Sequence, residues 1–255
     1  MIGLIDTHTH LEEIEGLNDA ISRAERSGIF AIITVGSNHE SNKRALEISG
    51  RYGNTTVYPA LGIHPWNLKV SQLESAISFI KENIQRAVAI GEIGLDFWLK
   101  EVRKDPSKKG LQKEVFKTLL ELSKRYEKAA IIHARGAWED CLEMTIEAQV
   151  GKGVFHWYSG SLEILDKVLS SGYFISATPA AAYSKEHQAA ISKTPLESLL
   201  LETDSPVEYQ GIKSEPVDVC RTLEEVARIK GIGKEKVAKT TTENALKFFE
   251  LESNH

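Results

Sequence analysis

The chain has 255 residues, 42% of them hydrophobic and 26% charged, with a formal net charge of −5. That is apolar material enough for one large core, and the weakly acidic balance excludes a chain-wide basic field for nucleic acid while leaving room for a local one. Two cysteines, Cys141 and Cys220, exclude a disulfide scaffold or a Cys-rich zinc site, and no apolar run reaches membrane-spanning length. The expected compartment is the cytoplasm, with no membrane association and no obligatory protein partner.

Strand-like apolar runs recur, each followed by a helical pattern. The run ending in Asp6-Thr7-His8-Thr9-His10 leads to a helix near 17–27. The segments 31–36, 57–65 and 87–96 lead to helices near 40–52, 71–84 and, after a loop at 97–110, 111–126. The segments 129–135, 153–158, 173–178 and 199–206 lead to helices near 138–149, 162–170, 184–192 and 217–230. The strands are rich in β-branched residues, as in a buried parallel sheet. Leu111, Val115, Leu119, Leu122 and Tyr126 form one helical stripe. Glycines such as Gly28, Gly53, Gly151, Gly172 and Gly231 punctuate helix ends. Eight alternating units predict a (β/α)8 TIM barrel in a single domain spanning 1–255, with closing C-terminal helices at about 234–251. An open doubly wound sheet is the alternative; no glycine-rich phosphate loop supports its dinucleotide-binding form.

The histidines carry the chemistry. Of eight, His8, His10, His64, His133 and His156 fall at the C-terminal ends of predicted strands, and only His39, His187 and His255 lie elsewhere. Glu92 ends strand four and Asp204 ends strand eight. In a barrel those ends ring one face, where active sites form. Any one of these groups alone reads as a satisfied structural side chain. Together they are expensive to bury unless a cation neutralises them. Imidazole and carboxylate without thiolate suit Zn, Mn or a similar divalent ion. Six donors exceed one tetrahedral shell, so two ions are expected: one on His8, His10 and Asp204, one on His133 and His156, with Glu92 bridging. On a pleated strand Asp6 shares a face with His8 and His10, one step behind them, where it can orient the imidazoles. Glu202 stands two residues behind Asp204 in the same way.

These residues lie in stretches that resemble the TatD family of metal-dependent deoxyribonucleases: DTHTHL (6–11), GIHPW (62–66), GEIGLDFW (91–98), IIHAR (131–135), FHWYSG (155–160), ETDSP (202–206) and the terminal TTENALKFF (241–249). They run the length of the chain in the family's order. The resemblance implies a TIM barrel, two divalent ions (Zn, Mg or Mn) on the six ligands above, and phosphodiester hydrolysis in DNA. It puts His64 near the scissile phosphate rather than on a metal. The expected catalytic residues are Asp204, His64 and Glu92, and the expected substrate contacts are His64, Trp66 and Arg135. The chain departs from the family at Trp157-Tyr158, usually Cys-Phe; at Lys213-Ser214-Glu215-Pro216, usually Arg-Asn-Glu-Pro; at Leu119, where a Gln is common; and at Ala130, usually Pro.

The 97–110 loop carries Lys100, Arg103, Lys104, Lys108 and Lys109 against Glu101 and Asp105. With Trp66, Phe97, Trp98, Trp157 and Tyr158 it suits single-stranded DNA or strand ends; a solvated loop over packed aromatics is the plainer alternative. A barrel hydrolase of another ester or amide (a lactone, cyclic amide or aminoacyl ester) would use the same donors, and an idle binding barrel would have no need to keep them.

Overall fold

The computed structural model describes residues 3–49, 52 and 55–252. Eight strands, β1 (Leu4–Thr9), β2 (Ile29–Val35), β3 (Thr56–Leu61), β4 (Ala89–Gly94), β5 (Ala129–His133), β6 (Gly153–Phe155), β7 (Phe174–Ala177) and β8 (Leu199–Leu201), are parallel and neighbour one another in sequence order. Helices α1 (Leu17–Arg26), α2 (His39–Ser49), α3 (Val70–Asn83), α4 (Lys100–Lys104), α5 (Pro106–Arg125), α6 (Trp138–Glu147), α7 (Leu162–Ser170), α8 (Lys185–Lys193) and α9 (Val219–Lys230) fill the crossovers, and α10 (Lys234–Phe249) follows. The barrel closes between β8 and β1 through strand ends rather than a full ladder. Thr7 Oγ1 donates to the Leu201 carbonyl at 3.0 Å, Asp204 N to the His8 carbonyl at 2.9 Å, and His10 N to the Ser205 carbonyl at 2.7 Å. The seam therefore places Asp204 beside His8 and His10.

The alternation of each strand splits the apolar residues into two layers. One set, including Ile32, Leu61, Ile90, Ile132 and Phe155, meets the helices, among them Val115, Phe116 and Leu119 of α5. The other, including Ile5, Ile33, Ile131 and Leu200, fills the barrel interior, and Phe248 and Phe249 of α10 pack against it. Within TTENALKFF, Asn244 donates to the carbonyls of Leu196 and Leu199 at 2.8 and 2.9 Å, so this asparagine fastens α10 to the start of β8. One end of the barrel is thus stoppered by apolar side chains, and the polar chemistry is confined to the other.

The structure departs from the sequence reading in four places. The 97–110 segment is not an open loop. It folds into α4 and the first turn of α5, because Asp105 accepts from Ser107 N at 3.0 Å as the cap and Pro106 starts the helix. One continuous helix, α10, spans the closing segment where a pair was expected. Strands six and eight stop at Phe155 and Leu201, because Trp157 (φ +43°) and Asp204 (φ +51°) turn the chain out of the pleat. The loop after Asp204 carries a short hairpin, β9 (Glu208–Tyr209) and β10 (Ile212–Lys213), that periodicity did not signal. Gly50, Arg51 and Gly53, within or beside the second expected helix, and His255 lie outside the described residues.

Candidate active site at the C-terminal mouth of the barrel

The five strand-end histidines converge with Glu92 and Asp204 on one point of the barrel mouth. His8 Nε2 and His10 Nε2 lie 3.4 Å apart. Glu92 Oε2 is 3.6 and 3.5 Å from them, and Asp204 Oδ1 is 3.4 and 3.6 Å away. Glu92 turns its other oxygen to the remaining imidazoles: Oε1 is 2.8 Å from His133 Nδ1, 2.8 Å from His156 Nε2 and 3.2 Å from His64 Nε2. Glu92 is 3% exposed and His8 is fully buried, so water screens little of this cluster.

Whether these donors fit divalent ions is decided by their spacing and their protons. A tetrahedron whose centre lies about 2.1 Å from each corner, a zinc bond to nitrogen or oxygen, has an edge of about 3.4 Å. The five separations among His8, His10, Glu92 and Asp204 match that edge. His10 Nδ1 donates to the Val35 carbonyl at 2.9 Å, which turns Nε2 to the cluster, where it offers a lone pair to an ion on giving up its proton. His133 Nε2 faces Asp96 Oδ2 at 3.2 Å, so Nδ1, 2.8 Å from Glu92 Oε1, is the nitrogen turned to the cluster. Burial opposes charge on Glu92, but His64, His156 and hydrogen bonds from His10 and His133 outweigh it and hold the carboxyl well below the usual carboxylate range. Burial also opposes charge on His10 and His156. The carboxylates Asp204 and Glu92 for His10, and Glu92 and Glu202 for His156, push these imidazoles well above their ordinary value. The pocket demands positive charge, as protons or as cations, and the residues present fit divalent ions.

Asp6 and Glu202 sit behind this layer in roles that differ from strand parity. Asp6 meets neither imidazole ring. Its Oδ1 accepts from Thr203 N at 2.9 Å and its Oδ2 from Thr203 Oγ1 at 2.6 Å, so it anchors the turn that presents Asp204. Burial raises the Asp6 pKa well above its ordinary value despite those bonds. Glu202 supports His156 rather than Asp204: Oε1 lies 3.5 Å from His156 Nδ1 and accepts from Trp157 N at 3.0 Å. His64 Nδ1 accepts from Trp66 N at 3.1 Å, so its neutral ring carries the proton on Nε2, toward Glu92. Burial lowers the His64 pKa to about 4.

Asp96 was quoted only within a motif, and its role was missed. It lies two residues past the end of β4, fully buried, and its carboxylate collects Trp66 Nε1, His133 Nε2 and Arg135 Nε. The signal was available: Asp96 has the same parity as Glu92. Burial pushes its pKa up, but His133, Trp66 and Arg135 bring it to about 2. The helix after β4 also carries a buried glutamine, Gln112, two turns before Leu119; its side chain accepts from Asp96 N at 3.0 Å.

Above the donors opens a cleft of ≈430 Å³ whose walls include Trp66, Arg135, Trp138 and Trp157. Three of the chain's four tryptophans therefore face one cavity. Trp157 packs on Tyr209 of the hairpin with ring centroids 5.3 Å apart. The basic side chains of α4 and α5 point to solvent beside this cleft and do not line it. Lys108 pairs with Glu101, and Lys109 lies 4.7 Å over the Phe97 ring.

An eight-stranded parallel barrel with buried imidazoles and carboxylates gathered at its C-terminal mouth defines a metal-dependent hydrolase. Residues 5–250 match the family described as TatD related DNase, and the chain belongs to that family. It is 30% identical over 262 residues to the human deoxyribonuclease TATDN3, covering 97% of this chain and 95% of that one. It is 32% identical to the uncharacterized metal-dependent hydrolase YabD of Bacillus subtilis, covering 97% and 99%. The crystal structure of the TatD homolog YJJV from Escherichia coli superposes with a TM-score of 0.88 at 26% identity, covering 99% of this chain and all of that one. Among the described residues no helix is long and apolar enough to cross a membrane.

Proposed function

We propose that this chain hydrolyses phosphodiester bonds in DNA, acting on single strands or strand ends, with two divalent ions. The observation that carries the reading is the near-tetrahedral spacing of His8, His10, Glu92 and Asp204 at the floor of an aromatic cleft. His8, His10 and Asp204 would hold one ion, His133 and His156 the other, with one Glu92 oxygen for each; Zn, Mn and Mg all suit this nitrogen and oxygen set. Bound there, such ions acidify water and neutralise charge on the phosphate. Asp204 offers Oδ1 to the imidazoles, and Oδ2, which makes no hydrogen bond among the described residues, takes the proton of the attacking water. A phosphate beside His64 favours its protonated ring, whose Nε2–H donates to a phosphate oxygen or to the leaving alkoxide, leaving the neutral imidazole. Trp66 and Arg135 meet the strand at the lip. We place the reaction in the cytoplasm, where the free thiols of Cys141 and Cys220 persist.

The test is cleavage of end-labelled single-stranded DNA with Mg, Mn or Zn, beside duplex DNA, RNA and an aryl ester. Metal-dependent cleavage of DNA that EDTA abolishes is the expected result. Intact DNA beside rapid ester hydrolysis would replace this reading with that of an esterase.

A further inference from the structure

Three successive strand-to-helix loops meet at Asp96. Its Oδ1 accepts the backbone N–H groups of Trp98 and Leu99 at 3.0 and 3.2 Å, which fixes the rotation of the carboxylate. Oδ2 therefore points to the cleft, where it accepts from Trp66 Nε1 at 2.6 Å and Arg135 Nε at 2.8 Å, besides His133 Nε2. The loops are tied by backbone too: Phe97 N donates to the Arg135 carbonyl at 3.0 Å. Gln112 Nε2 reaches the Pro65 carbonyl at 3.3 Å. The Trp98 ring seats on Gly136, whose φ of +71° and missing Cβ admit it; a Cβ there would lie 2.2 Å from Trp98 Cδ1.

What this rigid frame holds is a pair of exposed side chains. Trp66 is 51% exposed, and the Arg135 side chain is 43% exposed with its Cζ 5.0 Å over the indole. Surface arginines and tryptophans are ordinarily left mobile, because ordering them costs entropy. Here a fully buried carboxylate orders both. Arg135 spends only Nε on Asp96, and no hydrogen bond among the described residues uses its Nη atoms. Two parallel N–H donors on a fixed guanidinium edge match the oxygens of a phosphate. The indole beneath keeps that edge at one height and adds a face for a base.

We propose that Arg135, held by Asp96 and Trp66, is a subsite for a backbone phosphate next to the scissile one, with Asp96 as its positioning residue. This rests on the nuclease reading and gives it a register: the enzyme measures the strand from the metal floor to the Arg135 edge. A substrate with a single phosphate group leaves the subsite empty.

The metal-loaded protein is titrated with a short phosphorothioate single strand, which keeps the backbone charge and resists hydrolysis, across a range of salt. Arg135→Gln is expected to reduce the slope of log affinity against log salt by about 0.7, one phosphate contact on a single strand. The ratio of kcat/KM on an oligodeoxynucleotide to that on bis(p-nitrophenyl) phosphate should fall roughly 10- to 100-fold in this variant. Asp96→Asn keeps an oxygen for Trp98 N and Leu99 N, so it preserves the loop. It is expected to weaken strand binding, and because Asp96 also holds Trp66 and His133, the Asp96→Asn/Arg135→Gln pair should lose less than the sum of the two single losses. An unchanged slope, an equal loss on both substrates, or additive effects in the pair would overturn the subsite. An intact chain that cleaves neither diester would instead overturn the nuclease reading on which it rests.

Discussion

Glu92 divides the site into two clusters that share a carboxylate and differ in almost everything else. On its Oε2 side, His8, His10 and Asp204 stand 3.4–3.6 Å apart, the spacing of ligands around an ion. On its Oε1 side, His133 and His156 approach to 2.8 Å, the length of a charge-assisted hydrogen bond. The origin lies in the chain. His8 and His10 come from one strand and meet Asp204 across the barrel seam, so the backbone sets their separation. His64, His133 and His156 come from three different strands and lean on Glu92. The first cluster is shaped for a cation in advance; the second holds itself together through hydrogen bonds that a cation has to displace. The ion on the Oε2 side should therefore bind more tightly, and chelator titration should remove metal in two steps.

The largest effect should come from the residue both clusters share. Glu92→Gln keeps the shape but removes the bridging charge, and is expected to lose both ions and to lower turnover by more than roughly 10⁴-fold, beyond what one general acid or base supplies. His133→Ala should abolish only the step at low chelator, and His10→Ala only the step at high chelator. Elemental analysis of each variant reads this directly. A Glu92→Gln protein that retains two ions would dissolve the comparison.

Next comes Asp204→Asn, expected to cost about 10³ in kcat, within the range for a general base. The ion on the Oε1 side should stay. If turnover at saturating metal were near normal, another group would be taking the proton. The Oε2 cluster would then be a ligand set only.

How much of this was legible follows from which contacts are local. The alternation of apolar strands with helical stripes displayed the barrel, and the strand-end histidines displayed the mouth, because both depend on short-range periodicity. Parity failed where the backbone leaves the pleat. Asp204 sits three residues beyond β8 at a positive φ, so Glu202 does not stand behind it. The partner of Asp6, Thr203, is 197 residues away, and nothing near Asp6 announces it. The α4–α5 junction was readable and was passed over: Asp105-Pro106 is a cap followed by a first-turn proline. Asp96 shares the parity of Glu92, yet a carboxylate in a loop reads as an ordinary cap until its three side-chain donors are seen.

His64 gives the third effect, and it tests where the Oε1 cluster ends. Its ring touches Glu92 as the ligands do, but Trp66 N occupies Nδ1, so Nε2 presents a proton and not a lone pair. His64→Ala should keep both ions and lose about 10²-fold in phosphodiester cleavage, the lower end for general-acid help. The loss should shrink for a diester with an activated leaving group, which needs no proton. Lost metal would move His64 into the ligand set. An equal loss on both leaving groups would leave it a positioning role.

The smallest effect concerns a histidine that belongs to neither cluster and so supplies the baseline for both. His187 of α8 is fully buried, as His8 is. Among the described residues no carboxylate pairs with it, and Glu202 acts on it only through space. Its Nδ1–H donates to the Tyr158 carbonyl at 2.7 Å, and its Nε2 accepts from Thr178 N at 3.1 Å. Both ring nitrogens are spent on backbone, which fixes one neutral tautomer. Burial lowers its pKa, with the Tyr158 carbonyl opposing only in part. The sign of the linkage follows. Above about pH 6.5 the ring is neutral in both the folded and unfolded chain, and its charge contributes nothing. Below that, the unfolded chain binds a proton that the native ring resists, so stability falls as pH falls until the native pKa is reached. His187→Gln should cost roughly 1–3 kcal/mol at pH 7.5 through the altered buried hydrogen bonds. It should also remove the acid-dependent part, so its deficit against the intact chain shrinks toward pH 5. Denaturant unfolding of both proteins with EDTA present measures this, because the rim histidines are common to the two and cancel in the difference. Turnover at neutral pH should be nearly unchanged. A deficit that stayed flat with pH would mean that His187 titrates alike in the folded and unfolded chain. Burial alone would then not distinguish a structural imidazole from those at the mouth.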